Sequence, residues 1–249
     1  MKHILIVSLL VGVACAFGGS AQWTKIQNLQ DAVHCTSGTG VGCAVDFSAT
    51  LAGDAGFMWV ALGGVTTTSP AAPTTCGTWT KQVSIPSSNP TLVGYSAVNL
   101  PAGCTSETVT VTSGTGRLAG FQEFSSSPNN TVAIFDNSGV NNYSGSSCTS
   151  CTGASLTLTG GNDVISTALV NGIVSAIGGS YTGFLVTSTI RAQAYILNSI
   201  VGTAPNWTSS GATSYQTGSM AISAGNMRHR VVSGSLMRRL QILGLIEGE

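Results

Sequence analysis

The chain has 249 residues, of which 43% are hydrophobic and 7% are charged, with nine Lys or Arg against nine Asp or Glu. So large an apolar fraction can form a packed core, which excludes an intrinsically disordered protein. Between residues 22 and 226, four basic side chains stand against seven acidic ones, a balance that argues against nucleic acid as a partner.

The first element is a predicted secretory signal peptide at residues 1–21. A basic start at Lys2 is followed by an apolar run over residues 4–17 and by small residues up to Ala21, the three-part pattern of such leaders. The run is shorter than the ~20 residues that a membrane-spanning helix needs, and no later stretch is long and apolar enough. The sequence therefore predicts a secreted mature chain that begins at Gln22, is extracellular or periplasmic, and has no membrane span.

Short runs in which apolar and polar residues alternate predict β-strands along most of the mature chain. Residues typical of turns (Gly, Pro, Asn and Asp) separate these runs, and no repeat period is evident. Residues 22–226 are therefore predicted to form a single all-β domain, a two-sheet antiparallel β-sandwich. The predicted strands are 24–29, 44–48, 57–62, 78–85, 91–98, 107–112, 117–124, 132–137, 154–158, 163–169, 173–177, 184–190, 192–197 and 220–223.

Two stretches do not fit this pattern of strands. Residues 137–153 are rich in Ser, Asn and Gly and are predicted to form a long surface loop. The basic C-terminal tail at 227–249 carries four Arg against two Glu, with apolar residues at helical spacing from Val232 to Leu243. We expect this tail to be a short amphipathic helix or irregular, either packed on the domain or attached to an anionic surface or a partner protein.

Cysteine usage agrees with export. Six cysteines remain when Cys15 leaves with the signal peptide, and an even number in an exported chain favours disulfides, although six allow 15 connectivities. Pairing near neighbours predicts bridges 35–43, 76–104 and 148–151; a zinc site at the last pair is the disfavoured alternative. The predicted disulfide residues are Cys35, Cys43, Cys76, Cys104, Cys148 and Cys151.

No pattern in the sequence predicts a catalytic centre. A Ser or Cys nucleophile usually needs a histidine base, and the mature chain has only His34 and His229. Glycoside hydrolysis needs two carboxylates, for which Glu123, between Phe121 and Phe124, is the best candidate. The favoured interpretation of Glu123 is a structural place on a strand.

No metal or cofactor is predicted, with one alternative left open. Two histidines cannot supply a three-histidine site. A structural calcium ion at a loop would use Asp54, Asp136 or Asp163 together with backbone carbonyls, although no loop is rich in Asp.

Carbohydrate binding is the function that the composition leaves most open. Aromatic faces with amide and hydroxyl partners recognise sugars without charge, and this chain is poor in charge and rich in Ser, Thr and Asn. The alternative for each aromatic residue is ordinary packing in the core or at its rim. The candidate ligand-binding residues, predicted to be exposed, are Trp79, Tyr95, Tyr143, Tyr181, Trp207 and Tyr215.

Five short sequences resemble a group of uncharacterised secreted bacterial β-sandwich proteins. They are FSATLAGD at 47–54, ETVTV at 107–111, GFQEFS at 120–125, DNSG at 136–139 and GSMAI at 218–222. The resemblance covers roughly residues 40–224. It implies a jelly-roll-like sandwich similar to lectin and carbohydrate-binding folds, and it implies no catalytic residue.

The sequence thus predicts a secreted, non-enzymatic binding module for an extracellular polysaccharide or a cell-surface component. Two alternatives belong to other classes. One is a structural or assembly protein of the cell surface, which the charge-poor Ser/Thr/Gly composition favours together with self-association through edge strands. The other is a secreted glycoside hydrolase that uses carboxylates.

Overall fold

A computed structural model describes residues 22–31, 42–63, 75–85, 91–110, 115–127, 133–143, 148–159, 162–170, 173–188, 191–212 and 215–224. Every regular element in these residues is a β-strand, which confirms the all-β prediction. The predicted signal peptide at 1–21 and the tail at 227–249 lie outside the described residues.

Fifteen strands follow one another in the described part of the chain. The first seven are β1 Gln22–Asp31, β2 Gly42–Asp46, β3 Ala55–Gly63, β4 Thr80–Ser84, β5 Thr91–Ala97, β6 Ser106–Thr110 and β7 Thr115–Ser127. The other eight are β8 Ala133–Tyr143, β9 Cys148–Thr152, β10 Asp163–Val170, β11 Ile173–Gly178, β12 Thr182–Ser188, β13 Arg191–Ser199, β14 Asn206–Ala212 and β15 Tyr215–Ala224.

These strands form two large and two small antiparallel sheets. The large sheets have the orders β1-β7-β3-β5-β4 and β12-β13-β10-β15-β8, and the small ones are β2-β6 and β11-β14-β9. Side chains of both large sheets, such as Trp59 and Met220, share a central core. Because successive residues of a strand point to opposite faces, the neighbours of these residues lie in two outer cores.

The small sheets cover the outer faces of the large ones. Val109 of β6 packs against Met58 and Phe121 in one outer core, and Trp207 of β14 packs with Ile165 of β10 in the other. The predicted sandwich is therefore confirmed, and it has four layers. Strands β10 and β15 are buried at every residue, which explains why their sequences do not alternate between apolar and polar.

The strand order of the first half recurs in the second. The order β1-β7-β3-β5-β4 matches β8-β15-β10-β13-β12, and the pair β2-β6 matches β9-β14, with β11 as one additional strand. The first unit (residues 22–127) and the second unit (residues 133–224) thus have the same topology. Both lie within the range 22–226 assigned to one domain, and they share the central core.

Strand register supports the match between the units. β1 has a bulge at Ile26, beside the pair that it forms with Glu123. β8 has its bulge at Asp136, beside its pair with Ala221. A bulge places one unpaired residue in a ladder, so its recurrence at the same place aligns the two units residue by residue.

A short sequence is also repeated at this alignment. Gly77 and Gly179 begin the peptides Gly-Thr-Trp-Thr and Gly-Ser-Tyr-Thr, which lead into β4 and β12. Both glycines have positive φ, 82° and 83°, a conformation that glycine adopts without steric cost. The aromatic residues that follow, Trp79 and Tyr181, are both buried in an outer core.

The prediction of a loop at 137–153 is wrong. β8 continues to Tyr143, β9 begins at Cys148, and the predicted strand at 154–158 is irregular. β8 pairs along its length with β15, for example Gly139 with Ser219. A ladder needs backbone groups and not apolar side chains, so this Asn-, Ser- and Gly-rich segment is a strand in spite of its composition. Strand β14 was not predicted.

Candidate functional site

Five of the six aromatic residues predicted to bind sugar are buried. A small sheet covers the outer face of each large sheet. Aromatic side chains that point outwards from a large sheet are therefore buried in an outer core. Their polar atoms bond to the protein: the Trp79 indole donates to the Cys76 carbonyl at 2.7 Å, and the Tyr181 hydroxyl donates to the Thr203 carbonyl at 2.7 Å. The structure does not describe the side chain of the sixth candidate, Tyr143. The buried candidates are Trp79, Tyr95, Tyr181, Trp207 and Tyr215.

A cavity of about 210 Å³ lies instead at a corner of the sandwich. At this corner, β4 of the first large sheet approaches β8, the edge strand of the second, and β5 contributes to the lining. We call this cavity the corner groove. It is lined by hydroxyls, amides and two apolar side chains, without a charged group: Thr78, Thr80, Gln82, Ser96, Val98, Asn99 and Phe135.

The rim of the corner groove is fixed by a disulfide. Cys76 and Cys104 are bonded, with Cα atoms 5.9 Å apart, which confirms one predicted pair. The bridge joins the segment that carries Thr78 to the segment that follows Asn99. Behind it, the buried Glu107 carboxylate accepts hydrogen bonds from the backbone N–H groups of Thr75 and Cys76.

The predicted bridges 35–43 and 148–151 include side chains that the structure does not describe. Cys151 is disulfide-bonded. The described part of the chain does not include Cys35 or the side chains of Cys43 and Cys148.

The floor of the corner groove is also held in place. The Gln82 amide donates to the Ser96 hydroxyl at 3.0 Å, and Ser96 is only 3% exposed. The Ser138 hydroxyl of β8 donates to the Gln82 carbonyl at 3.1 Å. This last bond joins the edges of the two large sheets at one end of the corner groove.

The equivalent corner of the second unit has a different arrangement. The pairing can be followed across each large sheet from the residue that comes after the bulge. It reaches Ala97 of β5 in the first unit and Ile196 of β13 in the second. Asn99 and Asn198 each follow two residues later and are therefore equivalent. Asn198 bridges to β1, since its Oδ1 accepts from the Trp23 N–H at 2.6 Å and its Nδ2 donates to the Trp23 carbonyl at 3.3 Å.

The two corners carry different side chains at one equivalent position. Trp23 and Ala133 each lie three residues before the bulge of their strand. The Trp23 indole is buried in the central core and donates to the Asn162 carbonyl at 2.7 Å. Ala133 has only a methyl group at the equivalent place and packs in the same core.

Two pairs of neighbouring carboxyl groups do not line the corner groove. In the first unit, Glu123 is fully buried and accepts from the Leu51 N–H at 2.8 Å and from the Gln27 amide. Both of its oxygens are therefore occupied in the interior, where Asp54 is its neighbour. In the second unit Asp136 neighbours Asp163.

Burial shifts the ionisation of one member of each pair. Desolvation raises the pKa of Asp54 to about 6, with Ser125 lowering it and Glu123 raising it. Desolvation also raises the pKa of Asp163 to about 7, and the Asp136 carboxyl adds to the shift. The nearby Ser223 hydroxyl lowers the pKa of Asp163, but no hydrogen bond of ordinary geometry reaches either Asp163 oxygen from the described residues.

The acids considered for calcium are thus in the two carboxyl pairs. No cluster of three or more His, Cys, Asp or Glu side chains occurs in the described part of the chain. Among the same residues, no helix has the length and hydropathy to cross a membrane.

Comparisons of the chain with family models, with curated proteins and with solved structures found no match. The resemblance to secreted bacterial sandwich proteins therefore stays a prediction. The residues of the corner groove were not predicted from the sequence. One feature of the sequence could have indicated that the two corners are equivalent. The segments 97–103 and 196–202 each have Asn at the third position and Gly at the seventh.

Proposed function

We propose that this protein is a secreted, non-enzymatic binding module that holds one sugar ring of an extracellular glycan in the corner groove. The observation that carries the proposal is the lining of this cavity, which offers hydroxyl and amide groups beside the Phe135 ring and no charge. A neutral ligand rich in hydroxyl groups satisfies such a lining, and a charged ligand would lose hydration without gaining an ionic partner.

The size of the corner groove limits what it can hold. A cavity of 150 Å³ suffices for a benzene ring, so about 210 Å³ accommodates one small ring. Drug-sized ligands occupy pockets of about 300–1,000 Å³. A single ring at the end or side of a polysaccharide is therefore the best match, with the remaining chain outside in solvent.

The context supports export. The disulfide Cys76–Cys104 is of the kind that persists in oxidising compartments, where polysaccharides of cell walls and surfaces are found. The disulfide also restricts the rim before any ligand arrives, and a preorganised site binds with a smaller entropic cost.

The test is retention of the exported, oxidised protein on a panel of insoluble polysaccharides, with sugar release assayed in the same tubes. We expect retention without release by the wild type and loss of retention in Phe135→Ala. The matched control is Ile134→Ala, because Ile134 is the preceding residue of β8, is 56% exposed and does not line the corner groove. Equal retention of both variants, or no retention on any polysaccharide, would contradict the proposal.

Self-assembly at a cell surface is the second candidate, and β8 favours it. This strand is the edge of its sheet, spans Ala133–Tyr143, and exposes Ile134 by 56% and Val140 by 44%. It contains no Lys or Pro, the residues that often protect an edge from pairing with another chain. Oligomers that grow with concentration without ligand, and disappear in Ile134→Lys with Val140→Lys, would support this function.

A further inference from the structure

Asn198 shows what an amide does at this position of the fold. Its Oδ1 accepts from the Trp23 N–H at 2.6 Å, and its Nδ2 donates to the carbonyl of the same residue at 3.3 Å. One side chain thus holds a donor and an acceptor that lie side by side. An amide can do this because it carries both kinds of group about two bonds apart.

Asn99, the equivalent residue, has no such partner. Its side chain is exposed, lines the corner groove, and forms no hydrogen bond within the described part of the chain. Its backbone also differs, since Asn198 has φ of 55° and Asn99 is not in that region. The donor and acceptor of Asn99 are therefore open to a ligand.

We propose that the Asn99 amide recognises two adjacent hydroxyl groups of the bound sugar ring. This inference rests on the proposed function and names its chemistry: a ring with a free vicinal diol. One hydroxyl donates to Oδ1 and its neighbour accepts from Nδ2, which repeats the pattern that Trp23 presents to Asn198. The Phe135 side chain lines the same cavity and provides an apolar surface for the C–H groups of the ring.

An extended peptide would offer a similar donor and acceptor, and the structure disfavours it. A peptide that bound as an added strand would pair with the free edge of β4. The Gln82 carbonyl of β4 already accepts from Ser138 at 3.1 Å. The edge is therefore interrupted beside the corner groove, while the cavity has room for a ring.

The test compares methyl glycosides with and without a vicinal diol. The probes are methyl glucoside, methyl mannoside and methyl galactoside, each with its 3-deoxy analogue, which keeps no two adjacent free hydroxyls. Binding is followed by NMR through the Asn99 side-chain amide signals, with the full exported chain. We expect at least one parent glycoside to bind at least tenfold more tightly than its 3-deoxy analogue and to shift these signals.

Variants separate this inference from the proposed function. We expect Asn99→Ala to weaken binding at least tenfold and to remove the discrimination against the 3-deoxy analogue, with Ile134→Ala as the control. If Phe135→Ala abolishes binding while Asn99→Ala and the 3-deoxy analogues have no effect, the inference is wrong and the proposed function stands. If no glycoside binds, both fail. If a neutral Ser/Thr/Gly decapeptide shifts the Asn99 signals and no glycoside does, the partner is a peptide and the inference is overturned.

Discussion

Trp23 of β1 and Ala133 of β8 occupy the same position in the two units of the fold, each three residues before the bulge of its strand. Trp23 places an indole in the central core, and the Asn198 amide bonds to its backbone. Ala133 has a methyl group in the equivalent place, and the corner groove lies beside its strand. The repeated architecture therefore provides two related corners, of which one is bridged and the other holds a cavity.

Thr80→Trp should fill the corner groove. Thr80 lines the cavity and its side chain is exposed at the start of β4, so a larger ring there occupies the cavity without displacing packed core side chains. We expect loss of polysaccharide retention and a melting temperature close to that of the wild type, both measured on the same preparation. The control is Lys81→Trp, because Lys81 is the next residue of the same strand, is exposed and does not line the corner groove. Full retention by Thr80→Trp would show that ligand binds elsewhere.

Asn198→Ala and Asn99→Ala form a matched pair for stability. Asn198→Ala removes both bonds to Trp23 and puts a Cβ-bearing residue without a polar side chain at φ of 55°. We expect it to lower the free energy of unfolding by about 1–3 kcal/mol. Asn99→Ala removes an exposed side chain without a partner and should change it by less than about 0.5 kcal/mol. Urea denaturation measures both, and equal losses would contradict the different roles assigned to them.

The disulfide Cys76–Cys104 should matter for both the fold and the corner groove. It closes a loop with a sequence separation of 28 residues, so replacing both cysteines by Ser should cost about 3 kcal/mol. We also expect weaker retention on polysaccharide at a temperature where the variant is folded, since the rim that carries Thr78 is no longer fixed. A variant with wild-type retention would show that the bridge does not preorganise the site.

Strand positions in the first unit could be predicted because most of them alternate. Thr108 is exposed and Val109 is buried, as the run at 107–112 predicts. The same reasoning failed for β8, where Asn137 and Asn141 look like loop residues. Their amides bond to the carbonyls of Thr157 and Thr152, 20 and 11 residues further along the chain, and a pattern within one short run does not show such contacts.

The candidate site was harder to predict than the fold. Trp207 and Tyr95 were expected at the surface because a two-layer sandwich exposes one face of each sheet. The small sheets cover those faces, and both residues are buried. The lining of the corner groove comes from three separate segments, at 78–82, 96–99 and 135, and the sequence does not show that the fold brings them together. The repeat was missed because equivalent core positions carry different residues, such as Phe121 and Ser219.

The buried carboxyl groups should make the protein less stable as the pH rises. Burial raises the pKa of Asp54 to about 6 and that of Asp163 to about 7, from a usual value of 3.8. Between about pH 4 and 7 the folded state therefore binds more protons than the unfolded state, and the free energy of unfolding falls with increasing pH.

Asp163→Asn tests this sign. Asn has nearly the same shape and no charge, so the variant should lose most of the dependence and be more stable than the wild type at pH 8. The gain should be on the order of 2 kcal/mol, given about 1.4 kcal/mol for each pKa unit and some screening by solvent. Melting temperatures measured from pH 4 to 8 for the wild type and for Asp163→Asn test this prediction. A wild type that gains stability over this range would show that the Asp163 pair is ionised at low cost.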